Sequence, residues 1–264
     1  MFIHMSVQSG IPFYNLLAPQ YDQLFEEPHR RAYDLLAWEI VERLLPASPC
    51  TVLDVGCGTG RWAQRLLDRG HEVLGIEPSA AMVRLAEERT PDRRFRIINS
   101  TAEDAELDDM TADLVIAMGS LQYTADPGQT LRRLAKWTRI GGRVVVLVDS
   151  LVGLVMELFQ IGRTDEALDR LHTRRAQWAY GEQSVSYHLL DRATLERLFR
   201  DAGLADVACR GLLVGASLLG RQNLVRLLNE DWERRVDEER CLSLHPALAD
   251  SGKHLVGVGQ RVSR

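Results

Sequence analysis

Asp54, three glycines at alternate positions (Gly56, Gly58, Gly60) and Glu77 are the residues of this 264-residue chain whose types and spacing could do chemistry. The glycines follow directly on Thr51–Val55 (TVLDV), a β-branched and apolar run that predicts a strand buried on both faces. A stretch without side chains at the end of such a strand bares backbone N–H groups to a bulky ligand, and Arg61–Leu67 (RWAQRLL) then opens with helical spacing. Glu77 closes a second apolar run, Glu72–Ile76 (EVLGI), about twenty residues past the turn, where a carboxylate can hold the two hydroxyls of a ribose. The chemistry in prospect is the grip on a nucleotide-like ligand.

Two cofactor classes use such a turn. The window Gly58–Ala63 satisfies the dinucleotide pattern G-x-G-x-x-A, so a nicotinamide-dependent oxidoreductase stays open at this point. Counted from Gly56, an acidic residue, Asp54, precedes G-x-G-x-G, and Arg61 stands where the dinucleotide pattern puts its third glycine. VLDVGCGTG at 52–60 resembles the first motif of the class I S-adenosylmethionine-dependent methyltransferases of small-molecule type, and GIEPSAAM at 75–82 is similar to their acidic motif. Tyr14 to Asp22 (YNLLAPQYD) looks like the Tyr-x-x-x-Ala-x-x-Tyr-Asp stretch with which many such proteins open.

The resemblance implies a cofactor site made by Asp54, Gly56, Cys57, Gly58 and Gly60, with Glu77 on the ribose and Pro78 and Met82 toward the adenine. Ser100–Asp104 (STAED) stands where the family has Gly-Asp-Ala-Glu, so Thr101 replaces the acidic residue, and Thr101, Ala102 or Glu103 is left to line the adenine pocket. Met118-Gly119 suits packing beside the methionine part, and Tyr14 and Tyr21 are placed to cover the cofactor, a ring face beside a sulfonium being worth about 0.5–2 kcal/mol.

Composition narrows the partners. A net charge of −5 argues against a general affinity for phosphate backbones, and the Asn/Asp-Pro-Pro-aromatic motif of base-flipping relatives is absent from Met118–Tyr123 (MGSLQY). Met118 also occupies the place where metal-assisted relatives carry a carboxylate, and a thioether does not ligate a hard cation. Four cysteines without CxxC spacing fit reduced thiols, and neither a leader-like N-terminus nor a membrane-length apolar run is found. The expectation is a cytoplasmic protein, monomer or homodimer, acting without nucleic acid, membrane or metal.

The elements that must position these groups alternate. Strands are predicted at Thr51–Val55, Glu72–Ile76, Phe95–Ile98, Ala112–Met118 and Val144–Val148, with helices at Arg61–Leu67, Ser79–Glu88 and Pro127–Thr138 between them. With right-handed crossovers this gives an α/β, doubly wound, Rossmann-like parallel sheet. The resemblance implies seven strands in the order 3-2-1-4-5-7-6, the last antiparallel. Ile11–Phe25 and Arg30–Leu45 read as amphipathic helices in an N-terminal cap (residues 1–46) of a single domain spanning 1–264. An insertion at 151–190, with a helix at Asp165–Trp178 presenting Leu168, Leu171 and Trp178 on one side, is placed to act as a lid. A second helical insertion, 215–250, carries Leu224, Leu228, Trp232 and Val236 on one face.

The resemblance therefore implies an enzyme that moves a methyl group from S-adenosylmethionine to a small acceptor by in-line displacement, leaving S-adenosylhomocysteine. Alignment of donor and acceptor can supply about 7–11 kcal/mol, so a dedicated base is optional. Tyr21 and His188 are the candidate catalytic residues, with His172 and Asp149 as further proton acceptors. A relative of the same fold that binds the cofactor without methylating, as a regulator or scaffold, is the alternative of a different class.

Overall fold

The computed structural model describes residues 10–263; residues 1–9 of the expected N-terminal cap lie outside them. The elements are, in chain order, α1 (Ile11–Leu17), α2 (Pro28–Glu42), β1 (Thr51–Val55), α3 (Arg61–Asp68), β2 (Glu72–Ile76), α4 (Ala80–Arg89), β3 (Phe95–Ile98), β4 (Ala112–Met118), α5 (Pro127–Trp137) and β5 (Thr138–Asp149). There follow α6 (Leu151–Gln160), α7 (Thr164–Thr173), β6 (Arg175–Tyr180), β7 (Gln183–His188), α8 (Arg192–Asp201), β8 (Leu204–Leu212), α9 (Val214–Leu219), α10 (Arg221–Glu230), α11 (Trp232–Leu244) and β9 (His254–Arg261). Seven strands form one sheet in the order β3-β2-β1-β4-β5-β9-β8, and β6 pairs with β7 in a separate hairpin. β9 runs antiparallel to both of its neighbours, the expected arrangement once the hairpin is set aside.

Alternation along β1 divides the core. Val52 packs with Trp38, Leu66 and Leu228 on one side of the sheet, while Leu53 and Val55 pack with Leu131, Leu134 and Phe199 on the other. The helices begin where side chains satisfy their free N–H groups: Ser79 Oγ takes Met82 N at 3.2 Å, Asp126 takes Gly128 N at 2.8 Å, and Asp191 takes Thr194 N at 2.8 Å. The chain winds from β1 outward to β3, then returns to lay β4 on the other side of β1. The crevice at the carboxyl ends of β1 and β4 is the switch point at which open α/β sheets bind ligands.

Three predicted helices differ from the structure. Ile11–Phe25 is broken after Leu17, where Pro19, lacking an N–H, passes the chain into two 3-10 turns at Ala18–Gln20 and Asp22–Glu26. The helix expected over Asp165–Trp178 ends at Thr173; Arg174 adopts a left-handed φ of 54°, and Trp178 lies on β6 opposite Val185. Ala176, Trp178 and Tyr180 turn inward at every second position, a strand period that prevails over the helical one, and Leu168 and Leu171 are exposed. The face carrying Leu224 to Val236 is two helices parted at Asp231, whose carboxylate caps α11 by accepting from Arg234 N at 3.3 Å.

Candidate functional site

Gly56, Gly58 and Gly60 all have positive φ, between 55° and 77°, so the turn after β1 uses a conformation other residues adopt at a cost. The turn hangs on the end of β2: Gly56 N and Cys57 N both donate to Ile76 O, at 2.7 and 3.2 Å. A side chain at Gly56 would overlap that of Ser120, whose hydroxyl donates to Val55 O. One residue on from Ile76, Glu77 accepts from Gly58 N at 3.0 Å through Oε2 and from Ser79 N at 2.9 Å through Oε1. Each oxygen takes one donor and keeps a second lone pair, which is the valence a diol needs. Burial pushes Glu77 up to about 7, against the two backbone donors that pull it down, and burial followed by the charge of Glu77 does the same to Asp54. Oδ2 of Asp54 is buried without a partner.

Around this turn lie two adjoining cavities. The first, 350 Å³, is walled by Glu77, Pro78 and Met82 from the β2–α4 corner, by Thr101–Asp104, and by Leu121. The second, 320 Å³, is walled by Asp54 and Cys57, by His29, Arg30 and Tyr33 of α2, by Asp149, His254 and Lys253 at the facing ends of β5 and β9, and by Trp178 and Tyr187 of the hairpin. Tyr14, Tyr21, Gly56, Gly58, Met118, Gly119 and Tyr123 line both. The cavities therefore meet between the glycine turn and the end of β4, under a roof of tyrosines.

The roof is stitched down. Asn15 Oδ1 accepts from Ser79 Oγ at 2.7 Å, Asp22 accepts from Thr59 Oγ1 at 2.7 Å, and the Phe13 and Trp178 rings lie 5.0 Å apart. Tyr14 meets Tyr123 edge to face at 5.5 Å, and Tyr123 meets Tyr187 at 5.4 Å.

Most of the residues singled out in the sequence gather here, with exceptions. Gly60 lines neither cavity; as the N-cap of α3 it packs against Ala86 and Phe95, so its lack of a side chain serves the fit of α3 on α4. Thr101 borders the first cavity, but its hydroxyl is engaged in its own turn, donating to Asp104 Oδ2 at 2.8 Å and accepting from Asp104 N at 3.1 Å. Glu103 accepts from Ala125 N at 3.0 Å.

His188 lines neither cavity, because strand alternation sends Tyr187 inward and turns His188 toward the backbone of Thr124 and Ala125. Burial and Arg175 hold its ring below the ordinary histidine range. His172 lies in the last turn of α7 and lines neither cavity either. Tyr21 lies on the shared wall, but burial raises its phenol, which stays protonated near neutrality.

The groups that sequence reasoning missed come from α2 and β9. His254 is the cross-strand partner of Asp149, with Nδ1 2.8 Å from Asp149 Oδ1 at an angle too bent for a straight hydrogen bond, and Tyr33 lies 4.4 Å from its ring. Burial alone would raise Asp149; its contact with His254 and the charges of His254, Lys253 and Arg30 outweigh burial and hold it below the usual carboxylate range. A histidine beside a carboxylate on the wall of a cavity can accept a proton from a ligand bound there.

Residues 53–146 match the family model described as a methyltransferase domain. A methyltransferase of Mycobacterium tuberculosis described as uncharacterized is 33% identical over 138 residues, covering 50% of this chain and 56% of the relative. The trans-aconitate 2-methyltransferase of Rhodopseudomonas palustris is 34% identical over 131 residues (49% and 48%), and the tRNA 5-carboxymethoxyuridine methyltransferase of Escherichia coli 28% identical over 138 (49% and 53%). The chain thus spans about half the length of the curated relatives it matches. Among solved structures, the cyclase SpnF superposes with a TM-score of 0.63 at 18% identity, covering 98% of each chain. The geranyl diphosphate C-methyltransferase of Streptomyces coelicolor gives 0.56 at 18% identity, covering 87% of this chain and 79% of that one; both likenesses are of fold.

A doubly wound sheet closed by an antiparallel strand, with a glycine turn and an acidic residue at the carboxyl ends of β1 and β2, defines the Rossmann-like methyltransferase fold. Residues 53–146 carry the methyltransferase domain, and the sheet around them has the fold of the Rossmann-like methyltransferases. No helix among the described residues is long and apolar enough to cross a membrane.

Proposed function

We propose that this chain transfers a methyl group from S-adenosylmethionine to a small molecule held in the second cavity. The single observation that carries the reading is the shared wall: two cavities of similar size meet at Gly56, Gly58, Met118 and Gly119, beneath Tyr14 and Tyr21. The residues present fit the group. Glu77 has a free lone pair on each oxygen for the ribose, Met82 and Ala102 offer apolar faces to the adenine, and the unpartnered Oδ2 of Asp54 offers an acceptor to the ammonium. When bound, the cofactor supplies a methyl already activated by the positive sulfur.

What the chain supplies is alignment and exclusion of water, worth about 7–11 kcal/mol when the acceptor is held in line. Tyr14, Tyr21 and Tyr123 close the shared wall to solvent, and Asp149 with His254 provides the proton acceptor in place of His188. Met118 keeps the wall free of hard-cation ligands, and the reading is metal-independent. Relatives are named for acceptors as different as trans-aconitate and a tRNA nucleoside. The size of the second cavity, 320 Å³, and the net charge of −5 favour the small molecule.

The experiment is calorimetry with S-adenosylhomocysteine and with reduced nicotinamide dinucleotide. The first should bind and the second should not; the reverse overturns the reading. Binding of the thioether, with no methyl transferred from S-adenosylmethionine to any acceptor, would favour the second reading, a non-methylating relative, consistent with the cyclase that shares the fold.

A further inference from the structure

Among the described residues, the charges that line the second cavity are in balance before any acceptor enters. Arg61 pairs with Asp34 at 3.1 Å, and Lys253 and Arg221 share Glu157 at 2.7 and 3.2 Å. The charge of Lys253 also reaches Asp149, which stands beside His254 at 2.8 Å. Burial, followed by the neighbouring cations, lowers His29 to about 3, so its ring is neutral. Arg30 and Asp54 are left over on the lining, and they match the carboxylate and the ammonium at the amino-acid end of the cofactor. With both engaged there, the wall left to the acceptor offers no unpaired charge of either sign. A charged acceptor would lose its hydration without gaining a counter-ion.

That wall is aromatic. Five of the chain's six tyrosines line the second cavity, and Tyr33, Tyr187 and Trp178 border it without bordering the first. Burial raises the phenols of Tyr33, Tyr123 and Tyr187, so these rings stay uncharged near neutrality. Tyr123 lies 5.4 Å from Tyr187, and Tyr33 lies 4.4 Å from the ring of His254, so aromatic faces flank the pair that can take up a proton. Nδ1 of His254 is buried against Asp149 Oδ1, which leaves Nε2 as the ring nitrogen for a ligand in the cavity.

We propose that the acceptor is an uncharged phenol, its ring lying along Tyr33, Tyr123 and Tyr187 and its hydroxyl donating to Nε2 of His254. A flat ring meets these faces more fully than a puckered frame does. The hydroxyl gives its proton to Nε2, and its oxygen forms the new bond to the methyl carbon. The bond that breaks joins that methyl to the cofactor's sulfur, so a neutral thioether and an aryl methyl ether are left and the positive charge ends on the imidazolium. A nucleophile with no proton to lose would make no use of His254. The inference rests on the two-cavity reading given above and names the class of molecule that fills the second cavity.

The test uses the full chain saturated with S-adenosylhomocysteine and titrated at pH 7 with 4-propylphenol and four matched probes. 4-Propylbenzoate and 4-propylbenzylammonium carry a charge of either sign, 4-propylcyclohexanol keeps the hydroxyl on a puckered ring, and 4-propylanisole lacks the donor. The phenol should bind at least about tenfold more tightly than each of them. His254→Phe should bring the phenol and its methyl ether to the same affinity. If that variant does not fold, the ratios in the wild type decide. A charged probe, the cyclohexanol or the ether binding as tightly as the phenol, or no binding of any probe, overturns the proposal. S-adenosylhomocysteine is titrated first, so its failure to bind strikes the two-cavity reading and the proposal with it, whereas failure of the probes alone strikes only the acceptor class.

Discussion

Gly58 donates its backbone N–H to Oε2 of Glu77 at 3.0 Å, so the glycine turn after β1 and the acidic end of β2 are one hydrogen-bonded unit. A residue read as a ligand contact also fixes the loop that cradles the ligand. Glu77→Ala should therefore weaken S-adenosylhomocysteine binding by roughly 10–100-fold, the loss of one charge-assisted interaction of about 1.5–3 kcal/mol. Calorimetry checks it, and unchanged affinity removes the ribose assignment.

The same carboxylate makes binding pH-dependent. Burial places Glu77 at about 7, so below that value it is protonated in the free protein and must lose its proton to accept from two hydroxyls. Affinity for S-adenosylhomocysteine should rise by up to about tenfold per pH unit as pH climbs toward 7, then level off. In Glu77→Gln the slope should shrink; a profile as steep as the wild type would assign it elsewhere.

Gly56 and Gly70 have similar positive φ, 76° and 85°, but different surroundings. A side chain at Gly70 meets nothing within 4 Å, whereas one at Gly56 collides with Ser120. Gly70→Ala should cost only the backbone strain, about 1–2 kcal/mol. Gly56→Ala should cost more in urea unfolding and should also weaken cofactor binding.

Glu239 on α11 is buried far from the cavities, accepts from Gly215 N at 2.8 Å and leaves Oε2 unpartnered. Burial raises its carboxyl from 4.5 to about 7. A group raised on folding contributes stability below its unfolded value and loses it as pH rises through the folded one, so Glu239 costs stability progressively between about 4.5 and 7. The difference in unfolding free energy between Glu239→Gln and wild type should move in the variant's favour by about 3 kcal/mol across that window. A pH-independent difference would place the burden on another group.

Once an acceptor is turned over, His254→Asn should lower kcat by about 10²-fold or more, as loss of a positioned base does. His188→Phe should leave kcat nearly unchanged, since His188 lines neither cavity. The opposite pattern would return the base role to His188.

The sheet was legible because its central strands, β1 and β4, are short apolar runs buried on both faces. The cofactor half of the site was legible for the same reason: Gly56, Gly58 and Glu77 lie next to strands whose ends define it. The other half is assembled from distant segments. Nothing local marks His29 and Arg30, in the first turn of an otherwise ordinary amphipathic helix, as cavity walls. His254 was within reach, since an antiparallel closing strand brings the start of β9 to Asp149 at the end of β5. His188 misled because a strand's period of two decides which of two neighbours faces in, and the hairpin was hidden by a helical reading of Trp178.

The central claim, that backbone bared after β1 and the carboxylate of Glu77 hold an aminoacyl-adenosine thioether, is tested most directly by a crystal structure with S-adenosylhomocysteine. The ribose hydroxyls should lie within hydrogen-bond distance of both Glu77 oxygens, with the sulfur between Gly58 and Met118, facing the second cavity. A thioether seated elsewhere, or a pyrophosphate taking its place in that turn, would contradict the account.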